Sequence, residues 1–141
     1  MNGVLEANEP DSGTIARGDL RFLHVMLGLQ IALGLLWGVS MLFFARQIVL
    51  GSNEGPHVEK IAMEGAAHMM LVFGAFLVWR APYRSRDTLL MMIFLNGLWT
   101  LTDLVYIPLL NLSEVDFYAK VIVNAILAIG LTLSSRRAGI L

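Results

Sequence analysis

Apolar positions in this chain come in four long blocks rather than in the alternating or three-to-four-residue spacing of half-buried elements. Residues 20–45, 61–79, 88–110 and 117–133 carry apolar side chains nearly all round, and short segments rich in glycine, proline and charge separate them. About 20 apolar residues in a helix cross the hydrocarbon core of a bilayer, and a helix apolar on every side does not face water. The pattern predicts an all-α polytopic membrane protein: four transmembrane helices in an up-down antiparallel bundle, since the short connections favour antiparallel neighbours. The segment "RQIVLGSNEGPHVEK", with Gly51, Gly55 and Pro56, is expected to be the loop after span one, and "RAPYRSRD" and "NLSEVD" the next two turns. Residues 1–19 are polar and contain Pro10, which predicts a mobile or surface-lying tail; residues 136–141 read as a short basic tail after a 20–135 transmembrane domain.

Composition agrees with the pattern. Of 141 residues, 57% are hydrophobic and only 15% charged, with a mean hydropathy of +0.69, whereas soluble domains carry about a quarter charged residues. The four blocks leave too little chain for an extramembrane domain with its own core. No cysteine is present, which excludes disulfides, thiol chemistry and cysteine metal sites. No basic arm with interleaved aromatics is present either, so nucleic acid is excluded as a partner and the lipid bilayer is the expected one.

The charges also orient the bundle. Arg17, Arg21, Arg80, Arg84, Arg86, Arg136 and Arg137 fall on one side, against Arg46, Lys60 and Lys120 on the other. The positive-inside rule then predicts both termini in the cytoplasm, of a bacterial cytoplasmic membrane in this reading. Trp79 and Tyr83 at the inner boundary, with Tyr106 and Tyr118 toward the outer one, suit an interfacial aromatic belt.

Span two, "IAMEGAAHMMLVFGAFLVW", places Glu64 and His68 one helical turn apart. At about 1.5 Å per residue, Glu64 and Lys120 both lie roughly 4–5 Å below the outer boundary, and His68, Asp103 and Asn124 about 10 Å below it. A charge facing lipid at mid-depth costs about 2.5–3.5 kcal/mol, so such groups turn inward and find partners. The expectation is a cluster in the outer half of the bundle, with Glu64 paired to Lys120 and His68 between Asp103 and Asn124. Plainer uses stand beside it: snorkelling of Glu64 and Lys120 to the interface, or interhelical hydrogen-bond glue. Metal binding through Glu64, His68 and Asp103 is chemically allowed, but one histidine without an E-x-x-H repeat sets the expected metal to none. His24, beside Arg21, reads as interfacial. Gln30 and Asn96, each fourteen residues from an outer span end, read as weak glue deeper in the bundle. Gly34 and Gly38, extended by Gly28 and Ala32, form a small-residue stripe that suits an internal packing seam better than a dimer face.

The run "EGAAHMMLVFGAFLVWRAP" and the third-span opening "LLMMIFLNGLW" resemble the DoxX-like group of small four-helix membrane proteins over residues 20–135. Glu64 and Gly74 match that group's glutamate and glycine-rich run; His68 and Asp103 have no counterpart in it. Some members associate with membrane oxidoreductase complexes acting on sulfur compounds and quinones, so the resemblance implies an accessory subunit of such a complex as one role.

Three uses follow for the cluster. The first is a site for a small amphipathic ligand or a proton, since histidine changes charge near neutral pH, with Trp37, Trp99 and Tyr106 lining it and Glu64, His68, Asp103, Lys120 and Asn124 meeting its polar end. The second is the accessory subunit, with a protein partner or a homodimer. The third is an oligomeric proton-coupled transporter, for which four spans are few and no inverted repeat speaks. No residue is assigned a catalytic role and no cofactor is implied, so the reading leans away from an enzyme.

Overall fold

The computed structural model describes residues 17–51, 58–109 and 115–141, with side chains described for 20–48, 58–105 and 118–141. Among them lie five helices: α1 (Arg17–Phe43), α2 (Ala45–Gly51), α3 (Val58–Arg80), α4 (Arg86–Leu109) and α5 (Val115–Arg137). Four contain stretches long and apolar enough to cross a membrane: Leu20–Phe43, Val58–Arg80, Arg86–Val105 and Tyr118–Arg137. Large apolar side chains such as Val25, Leu36, Phe43, Met63, Met70, Phe73, Phe94, Leu101, Ile122 and Ile129 point outward. On a soluble protein such a surface would be an aggregation liability; on an integral multi-pass membrane protein it meets lipid. Of the tail expected over residues 1–19, residues 1–16 lie outside the described residues, and residues 17–19 belong instead to the first turn of α1.

The long helices form an up-down antiparallel ring in which α1 packs on α3, α3 on α4, α4 on α5 and α5 on α1. The α1–α3 side is the most intimate and the α3–α4 side the least. Small residues explain the first. A Cβ added at Gly38 would meet Met69 Sδ at 2.9 Å and the Gly65 carbonyl oxygen at 3.2 Å, and one added at Gly34 would meet Val72 Cγ2 at 2.6 Å. The stripe expected as a packing seam is therefore filled by α3 of the same chain. On α5, Gly130 receives the Met26 side chain from α1.

Two segments differ from the sequence expectation. The loop expected from Arg46 onward starts as α2: the chain bends at Phe44 while the hydrogen-bond ladder continues, Phe44 N–H donating to the Ser40 carbonyl (2.9 Å) and Ile48 N–H to the Phe44 carbonyl (3.0 Å). Within α2, no glycine or proline precedes Gly51, its last residue. The expected tail from residue 136 is the end of α5. Gly139, with φ 68°, closes it, while Ile140 N–H donates to the Ser135 carbonyl (3.0 Å) and Gly139 N–H to the Arg136 carbonyl (3.1 Å). This Schellman geometry satisfies the last carbonyls and delivers Ala138 and Ile140 into the core. Between α3 and α4, Ser85 takes the N-cap position, its carbonyl accepting from Leu89 N–H (3.0 Å).

The apolar core lies in one half of the bundle. Leu23, Met26 and Leu27 of α1, Leu71, Ala75 and Val78 of α3, Leu89 and Met92 of α4, and Leu127 and Leu131 of α5 form one buried cluster with Ala138 and Ile140. All lie toward the end that carries the first turns of α1, the α3–α4 turn and the last turn of α5. The other half of the interior is built differently.

Candidate functional site

The polar side chains expected to cluster all lie on the half of the bundle away from that core. Glu64, one turn above His68 on α3, reaches across the ring to α5, where Lys120 Nζ lies 3.7 Å from its Oε1. The two side chains keep 39% and 30% of their exposure, so the pair is a partly solvated bridge rather than a buried one. Pairs of this kind stabilise by about 0.2–1 kcal/mol. Glu64→Ala, which removes one of the partners of Lys120, is accordingly expected to lower thermal stability in detergent by no more than about 1 kcal/mol. A double-mutant cycle with Lys120→Met checks it: coupling indistinguishable from zero would leave the bridge energetically idle.

His68 departs from the expectation. Its ring is not held between Asp103 and Asn124, and no hydrogen bond joins it to either. It sits between two indoles instead, with the Trp99 ring centroid at 4.8 Å and the Trp37 centroid at 5.8 Å, tilted by 52° and 49° respectively. The order of helices around the ring is the reason for Asn124, while on the neighbouring α4 it is Trp99, one turn before Asp103, that meets the ring. α1 and α4 are the neighbours of α3, whereas α5 stands diagonally opposite, so the imidazole meets Trp37 of α1 and Trp99 of α4 before it can reach Asn124. Asn124 is buried and Asp103, one turn beyond Trp99, is half-buried. Among the described residues, no three carboxylate or imidazole groups converge as metal ligands. The side chain of Tyr106, the third expected lining residue, lies outside the described ones.

Below His68 a second bond crosses the other diagonal. Asn96 Nδ2 donates to Gln30 Oε1 at 2.9 Å and to the Met92 carbonyl, also at 2.9 Å. Both amides are sealed, Asn96 at 0% exposure and Gln30 at 2%, and Thr100 Oγ1 donates to the Asn96 carbonyl at 2.8 Å. This is the glue that the depth count anticipated. Asn96 Oδ1 is buried without a partner among the described residues, an uncompensated cost in an apolar bundle. Asn96→Leu alone should destabilise by about 1–2 kcal/mol by orphaning Gln30. Gln30→Leu with Asn96→Leu should recover most of that loss. Thermal melts of Asn96→Leu, Gln30→Leu and the double variant decide it, and strict additivity would show the amides to be uncoupled.

The site thus runs along the bundle axis from the Glu64–Lys120 bridge, past an imidazole flanked by two indoles, to the Gln30–Asn96 pair above the apolar core. His68 is 5% exposed, yet it makes no hydrogen bond to a described residue. Comparison with protein-family models, with curated proteins and with solved structures finds no match for this chain.

Proposed function

We propose that this protein binds a small amphipathic molecule in the outer half of its bundle, with the polar end of the ligand against His68. The observation that carries the reading is the buried His68 ring, held between Trp37 and Trp99 and making no hydrogen bond among the described residues. Buried polar groups are ordinarily satisfied, and an imidazole without a protein partner suits a ligand group or water that supplies one. The unpartnered Asn96 Oδ1 adds an acceptor deeper along the same axis. The least closely packed side of the ring, between α3 and α4, is bridged here by the rings of His68 and Trp99. The positive-inside rule supports placing this half toward the outer leaflet and both termini in the cytoplasm. The DoxX-like pattern around Glu64 is in keeping with a small four-helix membrane protein and supplies no substrate.

Native mass spectrometry of protein purified gently into nanodiscs tests the reading, with wild type set against His68→Ala. A small molecule retained by wild type and absent from the variant is the expected result. Bare protein in both samples would remove the proposal. A protein partner bound equally by both would point to an accessory subunit instead.

A further inference from the structure

The end of the bundle opposite this site carries a concentration of one side-chain type. Arg21 on α1, Arg80 at the end of α3, Arg84 in the following turn, Arg86 opening α4, and Arg136 and Arg137 closing α5 are all exposed. Three structural contacts draw these elements to one corner. Tyr83 Oη donates to the Ala138 carbonyl at 3.3 Å, which ties the α3–α4 turn to the end of α5. The Arg137 guanidinium stands 6.0 Å from the Phe22 ring of α1. His24 of α1 meets Trp79 of α3 at 4.9 Å between ring centroids.

None of the six arginines forms an ion pair among the described residues, and Asp87 is the one carboxylate whose side chain is described near them. Arg80, Arg136 and Arg137 suit the carbonyl ends of α3 and α5; Arg21, Arg84 and Arg86 lie at no helix C-terminus. Both lysines of the chain, Lys60 and Lys120, are at the other end. A general demand for positive charge would be met by either residue. A planar fork of N–H donors is specific to arginine and matches phosphate oxygens in pairs. Phe22, Trp79 and Tyr83, all partly exposed, supply aromatic surface at the level where lipid glycerol and ester groups lie.

We propose that the corner formed by Arg21, Arg84, Arg86, Arg136 and Arg137 binds the phosphate headgroup of anionic phospholipid. Each basic residue near an anionic bilayer surface strengthens binding by about fivefold, and guanidinium pairs add headgroup geometry to that attraction. The proposal is independent of the ligand reading for His68, which lies at the far end of the same bundle.

The test uses the full chain in phosphatidylcholine nanodiscs with and without phosphatidylglycerol, followed by native mass spectrometry of lipid adducts. Wild type should retain phosphatidylglycerol over phosphatidylcholine. The variant Arg84→Gln/Arg86→Gln/Arg136→Gln/Arg137→Gln should lose that selectivity by at least an order of magnitude, while Arg46→Gln/Lys60→Gln at the opposite end keeps it. If the glutamine variant does not fold, the same four positions changed to lysine decide the matter: charge is kept, paired N–H geometry is lost, and retention should fall. Equal retention of both lipids by wild type, unchanged selectivity in the arginine variants, or displacement of the lipid by inorganic phosphate in detergent would each overturn the assignment.

Discussion

Gly65→Val is expected to destabilise the bundle by about 3 kcal/mol or more, enough to abolish a monodisperse folded species in detergent. A Cβ at this position would meet Met41 Cβ at 2.8 Å, the Gly38 carbonyl oxygen at 3.0 Å and the Leu42 amide nitrogen at 3.0 Å. Two of those three atoms are backbone, so no side-chain rotation relieves the clash. α1 would have to move away from α3, opening the most extensive helix contact in the protein. Transmembrane helices associate largely through close packing, because lipid is as apolar as the helix surface it replaces. The lost contact therefore has no hydrophobic substitute. Gly97→Ala is the matched control. An added Cβ there meets nothing within 4 Å, and exchanging a helical glycine for alanine favours the helix by up to about 1 kcal/mol. Thermal melts of the two variants should diverge sharply; parallel melts would mean that α1 and α3 are not held by this seam.

Span number and all-α class were legible because twenty-residue apolar blocks have one physical solution in a bilayer, and the four predicted blocks each coincide with a long helix. The boundaries were less legible. Helix α2 was hidden because "ARQIVLG" contains one charge and no breaker before its last residue, so nothing in it separates a loop from a helix bent at Phe44. The close of α5 was hidden because Gly139 and Ile140 acquire meaning only when the Schellman turn and the core beneath it are known. Gly34 and Gly38 were readable as a stripe, whereas Gly65, which meets Gly38, has no second glycine at helical spacing near it in span two to mark a face.

The site shows the same division between depth and direction. Counting residues inward placed Glu64 level with Lys120 and Gln30 level with Asn96, and both pairs are in contact across the bundle. Depth follows from the helical rise alone. His68 was placed at the right level beside the wrong neighbours, because its partners depend on the order of helices around the ring, which short loops do not fix. The two crossing bonds have a further consequence. α1 and α4, and α3 and α5, make no backbone contact across the ring, so these polar pairs are direct links along its diagonals.

The exchange His68→Phe separates packing from binding more sharply than truncation does. In His68→Ala the space between Trp37 and Trp99 is emptied, and a loss of about 2–4 kcal/mol is expected from the cavity and the missing ring contacts. Any binding lost in that variant is entangled with the lost stability. Phenylalanine keeps an aromatic ring, one atom larger, between the indoles and removes both nitrogens, so stability should stay within about 1.5 kcal/mol of wild type. If His68 serves as the polar anchor of a ligand, His68→Phe should melt close to wild type and still lose the retained small molecule. If the ring serves only as packing between α1, α3 and α4, phenylalanine should replace it in every measurement. A His68→Phe protein that keeps the ligand would therefore remove the imidazole from the binding role, and with it the observation on which the functional reading stands.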